Sequence, residues 1–582
     1  MWKVEKFVHI FTILGKTYFM MNVKEKFKEL FLYKPESSYD FVLSENNAST
    51  NDSNVPTNFL PDSDIFSSLD KNYDYLRVQY NSLINSDIIL RPFIIQIYGK
   101  SYNALFVGID GMISSELVNN FLLRPLMETN SSKASNEMHT KNGVQFKKVK
   151  KVNIEDYIFD KLIPQNTVTK MSKFFDVTQA VNGGNCALFV DTLNIAFVID
   201  VKGFEGRSID NPKNEIVVRG SQEAFVEKIR TNTSILRRLI NSSALIIENT
   251  TVGTVSKTSV AVCYMKNIAN SSLIAEVKYR LNNIDVDYVV SSGNVEQLIQ
   301  DNSKIAFPQM ISTERPDKAV NHLLEGRVVI IVNGSPYVLI VPGVFIDFLS
   351  SPEDLNLKHQ YSNLLKVIRF IATFLTLFLP GIYLAIMTFH TELVPTTLLF
   401  TIASSRNSVP FPIIFELLLM EISFELIREA GLRIPTPIGP TIGIIGALVL
   451  GDAAVSANLV SPVLIIIVAL TGICSFAIPD FSLNFTFRIY KFLYIFLGYI
   501  AGLLGIAIGL FVQITLLCNL RSFGASYLAP YAPMTNLKSS VSYFIHPIWR
   551  RETRSDFLNT KRPKEQPHIS MKWQLTKNKF NR

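Results

Sequence analysis

Along the first 360 or so residues, apolar positions come in short runs broken by polar ones, and none approaches the roughly 20 consecutive apolar residues that a membrane-crossing helix needs. NALFVGIDG (103–111) is a β-like run ending in a turn, and SSELVNNFLLRPL after it has helical spacing with Ser114 or Ser115 as N-cap. NCALFVD (185–191) and IAFVIDV (195–201) face each other across Thr192 to Asn194 as a hairpin. TSVAVCYM (258–265), VDYVV (286–290), RVVIIV (327–332) and PYVLIV (336–341) read as further strands, the last two joined by the turn signal Asn333-Gly334. Helical patterns fall at 222–240, 270–283 and 294–301. These alternations predict an α/β region of two subdomains, 76–170 and 171–355.

Residues 364–518 change character. LLKVIRFIATFLTLFLPGIYLAIMTF (364–389), 434–451, 459–479 and 492–517 are long and apolar enough to be crossings, while 393–430 reads as a re-entrant or tilted segment. The expected fold is therefore a soluble α/β N-terminal region followed by an all-α multi-spanning membrane domain (360–520) and a basic cytoplasmic tail (521–582). Four crossings keep both ends on the cytoplasmic side, as the excess of Lys and Arg in the tail favours.

Charge within this apolar block is the candidate chemistry. Glu421, Glu425 and Glu429 recur every four residues, with Arg428 beside the last two, so they share one helical stripe. By pattern alone that stripe is an interfacial helix with its charges in water, or a buried one lining a polar path. Its position favours the second, because a run broken by Pro435, Pro437 and Pro440 follows, entered through Arg433 and left through Asp452. Irregular backbone at membrane depth is tolerated only against protein or water. Glycines 439, 443, 446 and 451, and again 498, 502, 505 and 509, form stripes that let helices approach closely.

Composition adds less. The 582 residues have a mean hydropathy of +0.22 and 18% charged residues, an average over two unlike halves. The net charge of +8 is concentrated in the tail, and a basic face on RTNTSILRR suits solvent or ion pairs better than nucleic acid. Four scattered cysteines without CxxC spacing give no disulfide framework or zinc site. The N-terminal MWKVEKFVHIFTILGKTYFMM lacks a cleavage pattern, so it reads as an amphipathic start or one that begins at Met20 or Met21. Residues 1–75 form a leader, and 128–143 a polar insertion. No GxGxxG, Walker loop or HExxH occurs, so neither a cofactor nor an enzyme is expected. Leu450-Gly451-Asp452 is similar to the aspartyl motif of intramembrane proteases, but the Gly-x-Gly-Asp pattern and a second aspartate in a tyrosine-aspartate pair are absent.

Four blocks together are more specific. NPKNEIVVRGSQEAFVEKIRTNTSILRRLI (211–240), FPQMISTERPDKAVNHLLEGRVVIIVNGSPYVLIVP (307–342), GLRIPTPIGPTIGIIGALVLGDAAV (431–455) and SFGASYLAPYAP (522–533) resemble the A subunits of GerA-type spore germinant receptors. Glu215, Arg219, Gly220, Thr231, Asn232, Thr233, Arg237 and Arg238 match that pattern, as do Thr313, Glu314, Arg315, Pro316, Asp317, Glu325, Gly326 and Arg327. Asn211, Ser221, Gln222 and Leu239 depart from it. The resemblance implies a subunit in the inner membrane of the dormant spore, working with a transporter-like integral-membrane B subunit and a lipoprotein C subunit to turn germinant binding into ion release. Arg219, Asn232, Arg237, Glu314, Arg315, Asp317, Glu325 and Arg327 read as structural or interface residues: Arg315 flanked by Glu314 and Asp317, with Pro316 breaking any helix, suits an ion-paired turn or subunit contact. An oligomeric, ligand-gated ion channel surrounded by membrane lipid is the leading expectation, and a secondary transporter of ions or small nutrients the alternative.

Overall fold

The computed structural model describes residues 41–44, 63–97, 100–127, 154–203, 212–433, 451–534 and 543–566. The first unit is a five-stranded antiparallel sheet in the order β1 (Ile88–Ile97), β2 (Lys100–Ile109), β4 (Cys186–Val190), β5 (Ala196–Ile199), β3 (Val168–Met171). Period-two alternation sends Leu105, Val107 and Ile109 to one face and Ala104 and Phe106 to the other. Helices α1 (Leu69–Tyr80) and α2 (Phe174–Asn182) cover the first face, and the short helical turns from Ser115 to Met127 and around Ile158 cover the second. That cover explains why β4 and β5 are apolar at every position. The expected hairpin between them is present, with Phe189 opposite Ala196, and Ser114 caps its helix by accepting the Leu117 N–H at 3.3 Å.

The boundary between the units needs correcting. Strands β4 and β5 belong to the first sheet, so the division falls after Ile199 and not at residue 170. The leader is likewise shorter than 1–75, because Ile65 and α1 are already part of the first core and Leu43 packs into the second.

The second unit repeats the architecture, in the order β6 (Leu245–Val252), β7 (Thr258–Met265), β9 (Val328–Val332), β10 (Val338–Val341), β8 (Ile311–Thr313). The β9–β10 hairpin turns at Asn333-Gly334, where Gly334 adopts φ +89°, a left-handed conformation that costs a glycine little. Helices α3 (Ile229–Leu239), α4 (Ser271–Asn282), α5 (Ser292–Ile299) and α6 (Pro316–Glu325) pack around it. Two expectations fail here. VDYVV is a loop, because its carbonyls are taken by the β6–β7 turn: Val286 O accepts from Thr254 N at 2.8 Å and Asp287 O from Val255 N at 2.9 Å. The helix expected over 222–240 starts only at Ile229, since Asn232 binds the preceding segment as extended chain, through Val226 N (2.8 Å) and Val226 O (2.6 Å).

One face of the second sheet continues without interruption into the helical layer. Val329, Ile331, Val338 and Ile340 share a core with Leu377, Phe378, Leu483, Phe487 and Leu517. The layer comprises α7 (His359–Phe389), α8 (Thr396–Arg406), α9 (Ile413–Arg433), α10 (Pro462–Phe476) and α11 (Phe481–Asn519). By length and composition α7 and α11 can cross a membrane. However, α11 is not one rod: Ala501 and Gly502 leave helical geometry, with Gly502 at φ +60° and ψ −145°. Tyr494 OH donates to Gln513 Oε1, nineteen residues on, which a straight helix would hold about 28 Å away. Thr486 donates to Ala306 O and Ser522 to Gln309 O, both at 2.6 Å, so both ends return to the second unit. Helix α11 is a hairpin whose arms, 481–500 and 503–519, leave that unit and come back to it.

This revises the expected crossings. Segment 364–389 lies within α7; 492–517 straddles the bend in α11; 459–479 yields the 15-residue α10, short of a full crossing; and 434–450 lies outside the described residues. The tail is docked as well, with Arg554 Nε donating to Leu324 O and Lys561 N to Ile268 O.

Candidate functional site

Inside the helical layer, α9 lies against α10 and the outgoing arm of α11 and brings charge into their apolar contact. Glu421 faces Lys491, Nζ to Oε2 at 2.5 Å, with the two side chains only 1% and 4% exposed. Lys491 also reaches Glu425 Oε1 at 3.4 Å, and Arg488 closes on the other Glu425 oxygen. One turn further along α9, Arg428 donates to Ser475 Oγ at 2.5 Å and stacks on Phe476, 4.7 Å from the ring centre. Two carboxylates thus meet three cations, Arg428, Arg488 and Lys491. Among the described residues, Glu421 Oε1, Arg428 Nε and Nη1, and Arg488 Nε are buried with no hydrogen-bond partner. Such a cluster is costly in an apolar layer, so its members have strong reason to stay together or to reach water.

Glu421, Glu425 and Arg428 therefore come together, whereas Glu429 and Asp452 are exposed. The side chain of Arg433, and Pro435, Pro437 and Pro440, lie outside the described residues. Sequence reasoning missed Arg488 and Lys491, which precede the apolar run starting at 492. Their three-residue spacing on one helical face was the available signal. It also missed Glu416, fully buried near the start of α9, which accepts from Arg406 Nη2 and from Ser461 N, both at 3.2 Å.

The matching residues of the soluble half are mostly buried clasps. Arg237 forks onto Asp87 (Nε–Oδ2 2.7 Å, Nη2–Oδ1 2.9 Å) and binds Asn85, tying α3 of the second unit to the chain entering β1 of the first. Glu314 accepts Asn214 N (2.6 Å) and Glu215 N (2.9 Å), while Glu215 accepts Glu314 N (3.1 Å), the Thr313 hydroxyl and Lys318 Nζ (2.8 Å). Burial pulls the Glu215 carboxyl upward, but Lys318 and these hydrogen bonds outweigh it and hold it below the usual carboxylate range. Arg315, fully buried, forks onto Asp317 and donates to Glu215 O and Ser221 O. Pro316 does not break a helix here; it opens α6 at the first position, where a missing N–H costs nothing. Arg327 pairs with Asp347 at 2.5 Å and lies 3.4 Å from Glu325, which also meets His322. Arg219 is exposed.

Comparison with known families matches residues 74–557 to the Bacillus/Clostridium GerA spore germination proteins. The chain belongs to that family. Among its relatives, spore germination protein KA of Bacillus subtilis (strain 168) is 36% identical over 84% of this chain and 86% of its own length. Spore germination protein A1 of the same organism is 42% identical over 60% of this chain and 73% of its own. GerLA of Bacillus cereus is 36% identical over 70% and 84%. A crystal structure of the N-terminal domain of the A subunit of the Bacillus megaterium spore germinant receptor GerK3 aligns at 30% identity with 49% of this GerA-family chain and 98% of its own, at a TM-score of 0.37.

Proposed function

We propose that this chain is the membrane-embedded A-type subunit of a spore germinant receptor, and that several copies surround a cation path lined or gated by the Glu421–Glu425 face of α9. The observation that carries this reading is the cluster of Glu421, Glu425, Arg488 and Lys491, with Glu421 and Lys491 buried, between two largely apolar helices. With Lys491 and Arg488 holding both carboxylates, the path is shut. Withdrawal of the α11 arm from α9 would expose one carboxylate pair per copy, and rings of carboxylates attract cations.

In this account the protein sits in the spore inner membrane as a multi-pass subunit. Its two α/β units and docked tail are on the core side, and the transporter-like B subunit and lipoprotein C subunit are its partners. The soluble units serve assembly and regulation without catalytic turnover. A secondary transporter is the competing reading, favoured by the break at Ala501-Gly502, since interrupted helices mark transporter sites.

Reconstitution with the B and C partners, scored by ion flux against a panel of amino acids and sugars, tests the proposal. Germinant-triggered flux through a ring of several copies supports it. Slow, saturable uptake by a strict monomer supports the transporter.

A further inference from the structure

A cavity of about 490 Å³ opens where the second α/β unit meets the first turn of α11, bordered by Asn214, Glu215, Ser312, Tyr337, Asp480 and Ser482. Its size is that of a small-molecule site, and its wall combines hydroxyls, an amide and two carboxylates with apolar surface from Pro479 and Phe481. Asp480 is the N-cap of α11, accepting Leu483 N at 2.9 Å. Lys318 is the cation near both carboxylates, and it is bonded to Glu215 at 2.8 Å.

We infer that this cavity binds a small solute carrying a cationic amine together with hydrogen-bonding groups, of about the size of an amino acid or an amino sugar. Charge decides the class. Glu215 and Asp480 border the cavity, and among the described residues Lys318 is the cation that faces them. A cation entering the cavity gains from the excess carboxylate charge, and an anion is repelled. Burial pushes the Asp480 carboxyl upward against the pull of Lys318, as expected of a carboxylate whose charge is incompletely offset. The serine hydroxyls and Tyr337 supply donors and acceptors in the same lining for the further polar groups of such a solute.

The position gives the site a consequence, which rests on the ion-path reading above. Asp480 caps the arm that carries Arg488 and Lys491, eight and eleven residues on, about 12 and 16 Å along the helix. A ligand drawing on Asp480 acts on the first turn of the element that holds Glu421 and Glu425.

The test uses the full chain in detergent with the exposed Cys518 replaced by serine and one cysteine introduced, Ser312→Cys or Ser482→Cys. The three remaining native cysteines are buried. Labelling rates are measured with the ethylammonium and the ethylsulfonate methanethiosulfonates, normalised to Cys518 in the unsubstituted chain. The cationic reagent should react faster on the order of tenfold, Asp480→Asn should bring the ratio close to one, and L-alaninamide should slow the labelling. Equal rates for both reagents, or no labelling at either position, overturns the inference. Because the readout needs no ion flux, that failure leaves the ion-path reading standing, and a silent cluster leaves this one standing.

Discussion

Gly381 of α7 and Gly498 of α11 meet backbone to backbone. A methyl on Gly381 would lie 2.7 Å from the Tyr494 carbonyl oxygen, and one on Gly498 would lie 2.6 Å from that of Gly381. The crossing is as close as peptide groups permit, and rigid backbone stands on both sides. Gly498→Ala should therefore force the helices apart and lower the amount of folded protein recovered in detergent, with Gly498→Leu worse. Among the described residues nothing lies within 4 Å of a methyl added to Gly431 on α9, so Gly431→Ala should be neutral or stabilising by up to about 1 kcal/mol. Equal recovery of Gly498→Ala and Gly431→Ala would contradict this packing.

The Arg237–Asp87 fork lies in the joint between the two α/β units, with side chains 2% and 8% exposed. Asp87→Ala strands a buried guanidinium, at a cost of roughly 3–5 kcal/mol. The temperature of thermal unfolding should fall sharply, and the chain should become more open to proteolysis. Removing both charges together with apolar residues of similar volume should cost much less. If the single and double variants lose the same stability, the fork is not the joint's main tie.

Burial first, and Asp480 second, raise Glu296 to about 7. The folded state thus holds a proton that the unfolded chain releases near its ordinary value. This contribution is fully present below about pH 4.5 and is lost as pH rises through 7. Glu296→Gln keeps the neutral shape, so it should stabilise the full chain on the order of 1 kcal/mol at pH 8 and leave it unchanged at pH 4.5. A melting series across that range checks the sign, and a variant effect that grows toward acid would reverse it.

Much of the soluble half is legible in sequence because its signals are local. Alternating apolar runs bounded by turn residues give β4, β5, β9 and β10, and the Asn333-Gly334 hairpin follows from the same rule. VDYVV has equally strand-like composition but spends its carbonyls on a turn 32 residues earlier, which no local pattern records. The unit boundary at 170 fails for a similar reason, since β4 and β5 join β2 by long-range pairing. In the helical layer, the stripe of Glu421, Glu425 and Arg428 is readable from four-residue spacing, but its counter-charges lie 63 and 70 residues away on α11. The bend of α11 is hidden because Gly502 sits in a regular glycine stripe that serves packing and reversal alike.

The pairing of α9 with α11 sets the expected behaviour of single charges. Glu421→Gln takes the close carboxylate partner from Lys491, 4% exposed, and leaves it the longer 3.4 Å contact to Glu425, so it should reduce folded receptor. Exchanging the pair, Glu421→Lys with Lys491→Glu, should restore it. Recovery that stays as low in the exchange as in the single variant would show that shape and not charge governs the site.

Glu425 is the better probe of the path, because Arg488 retains other surroundings and the carboxylate is partly accessible. The direct measurement is cation release after germinant addition from spores carrying Glu425→Gln, with the level and assembly of the receptor followed in parallel. Normal assembly with cation release changed in rate or extent is the predicted result. Normal assembly with wild-type release, for Glu425→Gln and for the assembled Glu421–Lys491 exchange alike, would place the ion path elsewhere.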